Sequence, residues 1–471
     1  MEEVMVIKSP GGGRFFPSDE EEVFSFIKKN MLENVVKTSK IVLSPHAGYV
    51  YSGETAAMAI SYLERNFETA VIIATAHTVE SEKPSVVKNA VFEGVYGRIE
   101  TDDELIDFLL KKDVFKNNPS AFIYEHSVDV ILPFLKYLKK DFKIVPLVVN
   151  GENKEILKKT AIFLKELSLK KNIVFIISSD LSHYPPYDVA YASDNAIAFA
   201  YDIAIRNGDV DYFYLTKELL SQKYSNYLDT VACGFSPMTL GLFLALEMGY
   251  NSFEVAKYTN SGMIADKGSV VGYLGGFFAR KEIKKDFIIE LLQEEKKELL
   301  IMARKSIESY IKEKKVFKEN ILKNPKFNLP FAVFVTLTKD GDLRGCIGSL
   351  LPHMLLGDAV CEYSVKAAFD DPRFDEVSLD ELKKIKIEIS ILSPLRRIKN
   401  ISEIREKIDG VYVKRGFRSG TYLPQVWEHF KKKEDFLRSL FDEKSGIGYE
   451  HLNDSDTEIY TYTVLNFSES H

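Results

Sequence analysis

The sequence predicts an α/β N-terminal domain, with a mainly parallel or mixed central sheet flanked by helices, followed by an α+β C-terminal domain. Three observations lead there. The first half alternates short apolar runs with amphipathic helical stretches. The second half groups its β-rich runs and keeps its helices apart, and a highly charged helical stretch separates the two halves. Continuous apolar strands mark a sheet covered on both faces, whereas grouped strands mark antiparallel pairing.

In order, IVLSP (41–45) is a β-rich run ending at His46, and GETAAMAISYLERNF follows as an amphipathic helix. AVIIATA (70–76) is an apolar strand ending at His77. SVVKNAVFEG reads as a further strand and DDELIDFLLKK as a helix. FIYEHS leads into VDVILPFLKYLKK, whose apolar residues recur at helical spacing. FKIVPLVVN is a buried strand, EILKKTAIFLKEL a helix, and VFIISSD (174–180) a strand ending just before His183. FEVAKYTN and SVVGYLGGFFA form a closing strand pair.

From Lys281, KEIKKDFIIELLQEEKKELLIMARKSIESYIKEKK places apolar residues at helical spacing among mixed Glu and Lys, as a solvated amphipathic helix or helix pair does. The domains therefore span 1–279 and 281–471. In the second, FAVFVTLTKDGDLRGCIGSL is a hairpin turning at Asp340–Gly341. IKIEISILSPLRRI and GVYVKRGFRSGTYL supply more strands, and HMLLGDAVCEYSVKAAF and PQVWEHFKKKEDFLRSL are helical.

Composition narrows the functional classes. The 471 residues are 45% hydrophobic and 28% charged, a globular balance with ample core. Net charge is −7, without the basic excess that nucleic-acid binding brings. Three cysteines, Cys233, Cys346 and Cys361, are too few for a disulfide framework and fit a reducing compartment. The start MEEVMVIKSPGGGRFF is unlike a signal peptide, and apolar runs stop at about ten residues, short of a membrane span. A cytoplasmic protein is expected.

Four segments carry chemistry: Pro45-His46-Ala47-Gly48-Tyr49, Ala76-His77, Asp180-Leu181-Ser182-His183 and Ala232-Cys233-Gly234. The first domain holds four of the eight histidines, His46, His77, His126 and His183, and each is expected to follow a strand. Ligand sites of α/β sheets gather at the carboxyl ends of strands. Imidazole and thiolate are transition-metal donors, and a catalytic metal needs about three protein ligands and an open position. Two histidines with Cys233, or with Asp180 or Glu125, meet that need, and a remaining histidine serves as acid or base. Taken singly, each residue has a plainer reading. A strand-end histidine is usually a hydrogen-bonded structural group, and Cys233 at a helix entry is more often buried and inert. Glu125 could decorate a helix N-terminus, and Asp180 could cap a turn. Their convergence favours the functional reading.

SPHAGYVYSG, EHSVDVILPFL, SSDLSHY and ACGFSPM, in this order, resemble the Memo family across nearly all of 1–279. That family is similar in fold to class III extradiol dioxygenases, non-haem iron enzymes that cleave aromatic rings. The resemblance implies a metal site of His46, His77 and Cys233, with His183 at the acid/base position and Glu125, His126 and Asp180 lining the cleft. A cysteine stands where the dioxygenases have a carboxylate. This departs from their iron(II) triad and shifts preference towards copper, zinc or another iron chemistry. Ala76-His77 also departs, since relatives often carry a more polar, glycine-containing sequence there.

Leu343-Arg344-Gly345-Cys346-Ile347-Gly348, AAFDDPRF (367–374), ISILSPL (389–395) and YLPQVW (422–427) resemble the AMMECR-type domain. Arg344, two residues from Cys346, is expected on the same strand face, where it would lower the thiol pKa. The preferred reading of Cys346 is still a small residue packed in a tight sheet, because no histidine accompanies it. Arg373 either binds an anion or, as preferred, pairs with Asp370 or Asp371. Cys361 is expected in the core. The two families commonly occur together or beside a radical SAM protein, which implies a shared modification pathway. Three functions follow: a metal-dependent oxidoreductase or modification enzyme acting on a small molecule or modified macromolecule, with iron or copper or else zinc; a non-catalytic metal carrier; and an interaction scaffold.

Overall fold

A computed structural model describes residues 4–79, 83–282, 289–317 and 324–469. The chain divides into two compact units, Met1–Glu282 and Ile283–His471. The expected helical stretch from Lys281 yields the helix Gln293–Glu313, and its positions 283–288 lie outside the described residues.

The first unit is built on an eight-stranded mixed sheet. Its four central strands, in the order Ile41–Ser44, Ile173–Ser178, Thr69–Ala74 and Lys143–Val148, are parallel. Every residue of the first three is buried. Successive side chains point to opposite faces, so helices must cover both sides. The closing strands Ser252–Asn260 and Gly272–Ala279 extend one side of the sheet antiparallel, against Ile41–Ser44. The helix Lys154–Ser168 shows how the covering forms. Leu157, Thr160, Ala161, Leu164 and Leu167 recur on one buried face, and the Asn153 side chain accepts the Glu155 and Ile156 N–H groups as an N-cap. The long helix Tyr187–Asn207 ends at Gly208, whose φ of 65° supplies the left-handed stop.

Four local expectations change. SVVKNAVFEG is two strands, Ser85–Val86 and Ala90–Gly94, in different sheets, because Asn89 between them adopts φ 51°. The helix after His46 is shorter, a π-turn Tyr49–Gly53 followed by Glu54–Ser61. His126 does not follow directly from a strand: the two-residue strand Lys116–Asn117 and the 3₁₀ turn Pro119–Ala121 come before it. It begins a short helix, His126–Asp129, whose N-cap is the Glu125 side chain, and the apolar run beyond is a separate helix, Leu132–Leu138. In the second unit, PQVWEHFKKKEDFLRSL breaks into the 3₁₀ turn Pro424–His429 and the helix Lys433–Ser439.

The second unit is α+β. One antiparallel sheet runs Asp342–Gly348, Ala332–Lys339, Ile385–Leu392, Val464–Ser468. Its buried face, Val333, Val335, Leu337, Ile387, Ile389 and Ile391, is fully excluded from solvent and packs under the helices Gln293–Glu313 and Leu356–Phe369. A second sheet holds Arg396–Arg397, Glu458–Tyr462, Gly410–Arg415 and Arg418–Tyr422. Asp340 and Gly341 have φ of 53° and 93°, the paired positive values of a tight hairpin turn. Among the described residues, no helix is long and apolar enough to cross a membrane.

Gly345 shows why the strand Asp342–Gly348 is so specific in sequence. A Cβ there would stand 2.1 Å from the Ala367 carbonyl oxygen, which is backbone and cannot swing away. Gly345→Ala is expected to cost about 1–3 kcal/mol by forcing that strand from the helix. Urea unfolding of the second-domain transition checks this; an unchanged midpoint would contradict the packing described.

Candidate metal centre

The parallel strand order brings segments distant in sequence to one place. His46 follows Ile41–Ser44, His77 follows Thr69–Ala74, and Asp180 and His183 follow Ile173–Ser178. These three strands are neighbours, so their carboxyl ends share one cleft. His126 enters from its short helix. Candidate ligand atoms of His46, His77 and His126 all lie within 4.8 Å of one another.

Hydrogen bonds set the ring orientations. Ser178 Oγ donates to the Ser127 carbonyl at 2.7 Å. With its proton spent, it accepts from His46 Nδ1 at 2.9 Å. His46 Nε2 is therefore the bare nitrogen, and it faces Cys233 Sγ at 3.3 Å. Glu125 does the same for His77: Oε1 accepts from Nδ1 at 2.9 Å and Oε2 accepts the His77 backbone N–H at 2.6 Å. Both imidazoles thus donate through Nδ1 and keep Nε2 for a ligand, the arrangement metal-binding histidines adopt. His126 stacks on His77, at 4.6 Å between centroids, and on Phe15, at 4.2 Å with the rings 9° apart. Its Nδ1 lies 3.5 Å from Glu125 Oε1.

Burial governs the protonation states. Desolvation, reinforced by the neighbouring His77, holds His46 down to about 3. Desolvation with His46 and His77 beside it holds His126 at about 4. Both are neutral at physiological pH, as ligands must be. Desolvation would also lower His77, but its hydrogen bond to Glu125 raises it instead. Burial alone would raise Glu125, yet its bonds from His77 and Ser127 keep it at about 2, a carboxylate throughout. Burial pushes the Cys233 thiol well above its usual range, so S–H is the donor to His46 Nε2. A cation in the cleft would reverse that preference, since a coordinating thiol is deprotonated.

Asp180 is buried and accepts the His46 backbone N–H at 2.8 Å. Desolvation raises its pKa. His183 is half-buried, and its Nε2 is shut from solvent with no hydrogen-bond partner among the described residues. Its turn is anchored by Asp194, which accepts the Ser182 N–H at 3.0 Å and the Tyr258 hydroxyl at 2.8 Å. Desolvation raises Asp194 to about 7. A cavity of about 300 Å³ adjoins the cluster, lined by His77 and Cys233 together with Thr75, Asn150, Lys217 and Ser236.

The structure groups the ligand atoms of His46, His77 and His126 and sets Cys233 against His46, with Glu125 supporting His77 and Asp180 supporting His46. His126, read from sequence as cleft lining, joins the histidine group. Ser178, Ser127 and Phe15 were missed. Ser178 sits in the recognised SSDLSHY stretch, but only the paired register Ser44↔Ser178 reveals that it faces His46. Phe15 follows a glycine run whose Gly11 N–H and Ser9 hydroxyl are held by buried Asp129.

In the second unit, Arg344 does not face Cys346. It is the extra residue of a β-bulge opposite Leu337–Thr338, which breaks the expected two-residue parity. Its guanidinium pairs with Glu381 at 2.8 Å. Arg373 makes its salt bridge to Asp371 at 2.7 Å. That Asp371 accepts the Cys346 N–H at 2.8 Å, so the two motifs latch the edge strand. Thr336 Oγ1 donates to Cys346 Sγ at 3.3 Å. Cys361 is buried, as expected.

Two family models and several relatives match the chain. The family model described as Memo-like protein matches residues 10–277, and that described as AMMECR1 matches residues 300–467. The chain is similar to a MEMO1 family protein of Aquifex aeolicus, with 34% identity over 281 residues, covering 58% of this chain and 100% of the relative. It is also similar to a MEMO1 family protein of Methanococcoides burtonii, with 35% identity over 268 residues, 55% of this chain and 95% of the relative. A solved structure of an uncharacterized protein from Pyrococcus horikoshii is 32% identical, covers 37% of this chain and 90% of that one, and superposes with a TM-score of 0.34.

The depressed histidines make a prediction for the metal-free protein. His46 and His126 bind protons less readily folded than unfolded. At pH above about 6.5 they are neutral in both states and cost nothing. Below it the unfolded chain protonates first, so stability should fall as pH drops from about 6.5 towards 4. His126→Gln should flatten that decline, as read by urea midpoints against pH. An equal slope in the variant would show that His126 is not held neutral.

Proposed function

The chain belongs to the Memo family, and from that premise we propose that its first domain is a metal-dependent redox or modification enzyme, with His46, His77 and Cys233 holding a transition metal and His183 moving a proton. The observation that supports this reading is the grouping of ligand atoms of His46, His77 and His126 within 4.8 Å of one another, with Cys233 Sγ 3.3 Å from His46 Nε2 and the Nδ1 atoms of His46 and His77 already committed. Two imidazoles and a thiolate suit copper or iron, with zinc also accommodated. When bound, such an ion would polarise a substrate or oxygen and carry the redox change.

The chain's own residues supply the remainder. Cys233 gives up its proton on loading, and Glu125 keeps His77 Nδ1 protonated and its Nε2 free. His126, neutral and stacked between His77 and Phe15, offers a fourth donor to the same space. His183 Nε2, buried and without a hydrogen-bond partner among the described residues, would receive or deliver a proton. Substrate enters through the cavity beside His77 and Cys233. The AMMECR1 domain and a radical SAM partner belong to the same proposed modification pathway, with a small molecule or modified macromolecule as substrate.

A second reading is a carrier that binds metal without turnover, and the thiol of Cys233 favours it because thiolate holds copper tightly. His183 separates the two. His183→Gln should keep the wild-type metal content and lower turnover by roughly 10²–10⁴-fold in a substrate screen under controlled oxygen. Wild type that binds metal but turns over nothing in that screen would favour the carrier. Loss of metal from His183→Gln would show that this histidine is a ligand and end its role as acid or base.

A further inference from the structure

The second domain contains a cavity of about 950 Å³ that the metal chemistry does not use. One wall is a face of the helix Gln293–Glu313, where lining positions recur every three or four residues. Residues 383–386 and residues 467–469, at the end of the strand Val464–Ser468, complete most of the lining. Among the described residues, seven cationic side chains line it against three acidic ones, an excess of four positive charges on a chain whose net charge is −7. Arg304 and Glu469 neutralise each other at 2.5 Å, and Arg304 also donates to the Leu382 and Ile385 carbonyls, so that wall is fixed. Lys296, Lys297, Lys384 and Lys386 have no ion-pair partner among the described residues.

Among the described residues, the strand Val464–Ser468 is the edge of its sheet and pairs on one side, with Ile385–Leu392. Its sequence, VLNFS, carries no charge and no proline. Such residues are the usual protection of a free edge, and here the cations lie on other elements that line the same cavity rather than on the edge strand. Apolar surface accompanies the charge: Ile301, on the helix wall, is 43% exposed.

From this combination we propose that the groove binds an extended acidic segment of a partner protein, which adds a strand to the edge Val464–Ser468 while its carboxylates meet the lysines. A strand added there completes the backbone hydrogen bonds of the edge, and alternate side chains point towards the basic wall. A nucleic acid would use the lysines but leave the edge unpaired, so the peptide fits more of what the groove presents.

The probe is a fluorescent peptide of alternating valine and glutamate, read by anisotropy against the full chain. The peptide should bind and should weaken about tenfold in Lys384→Glu/Lys386→Glu and in Lys296→Glu/Lys297→Glu, more so at low salt. Methylating alternate peptide amides should abolish binding, and single-stranded RNA should not displace the probe. No binding to the wild type overturns the proposal. So does equal binding of the methylated peptide, or RNA binding tighter than the peptide with the same lysine dependence.

Discussion

One buried carboxylate organises the first domain's chemistry. Glu125 is 1% exposed, yet it accepts three hydrogen bonds: the His77 backbone N–H, the His77 ring and the Ser127 N–H. The last makes it the N-cap of the helix that begins with His126. That helix presents the Ser127 carbonyl to Ser178, and Ser178 in turn fixes the tautomer of His46. A charge so deeply buried is tolerated only when fully bonded, and leaving it unpaired costs several kcal/mol. The carboxylate therefore enforces the geometry of two rings directly and a third through the serine relay.

Around that hub the domain accumulates groups that burial alone would make unfavourable. His46 and Asp180 are buried together, and the pKa of His183 is lowered by desolvation as well. Structural ion pairs can perturb titration too, but here four histidines, two carboxylates and a thiol meet at the carboxyl ends of adjacent parallel strands. Convergent polar groups in an otherwise apolar α/β layer mark a candidate ligand site.

How far the sequence disclosed this depended on the range of each interaction. Apolar runs such as 70–76 announced the parallel strands, and the residues just beyond them, His46, His77 and Asp180, were legible as a cleft because strand ends converge in such folds. His126 was misplaced onto a strand end, since Glu125 capping a single helical turn leaves no periodicity to read. The helices Tyr187–Asn207 and Val210–Lys223 were not read as elements. The first is buried over most of its surface and so lacks a clear polar stripe. Ser178 could not be assigned from sequence, because its role depends on Ser127, 51 residues away. In the second domain the hairpin turn at Asp340–Gly341 was plain from residue chemistry. The bulge that turns Arg344 towards Glu381 was not, because one extra residue reverses strand parity without altering composition.

The claim on which this account rests is that His46, His77 and Cys233 form a metal site. Its most direct test is anaerobic metal analysis by mass spectrometry, comparing the full-length protein with the His46→Ala/His77→Ala/Cys233→Ser variant. The account predicts iron or copper near one per chain in the wild type and its loss in the variant. Absence of metal from the wild type after anaerobic reconstitution, or equal metal in both proteins, would contradict it.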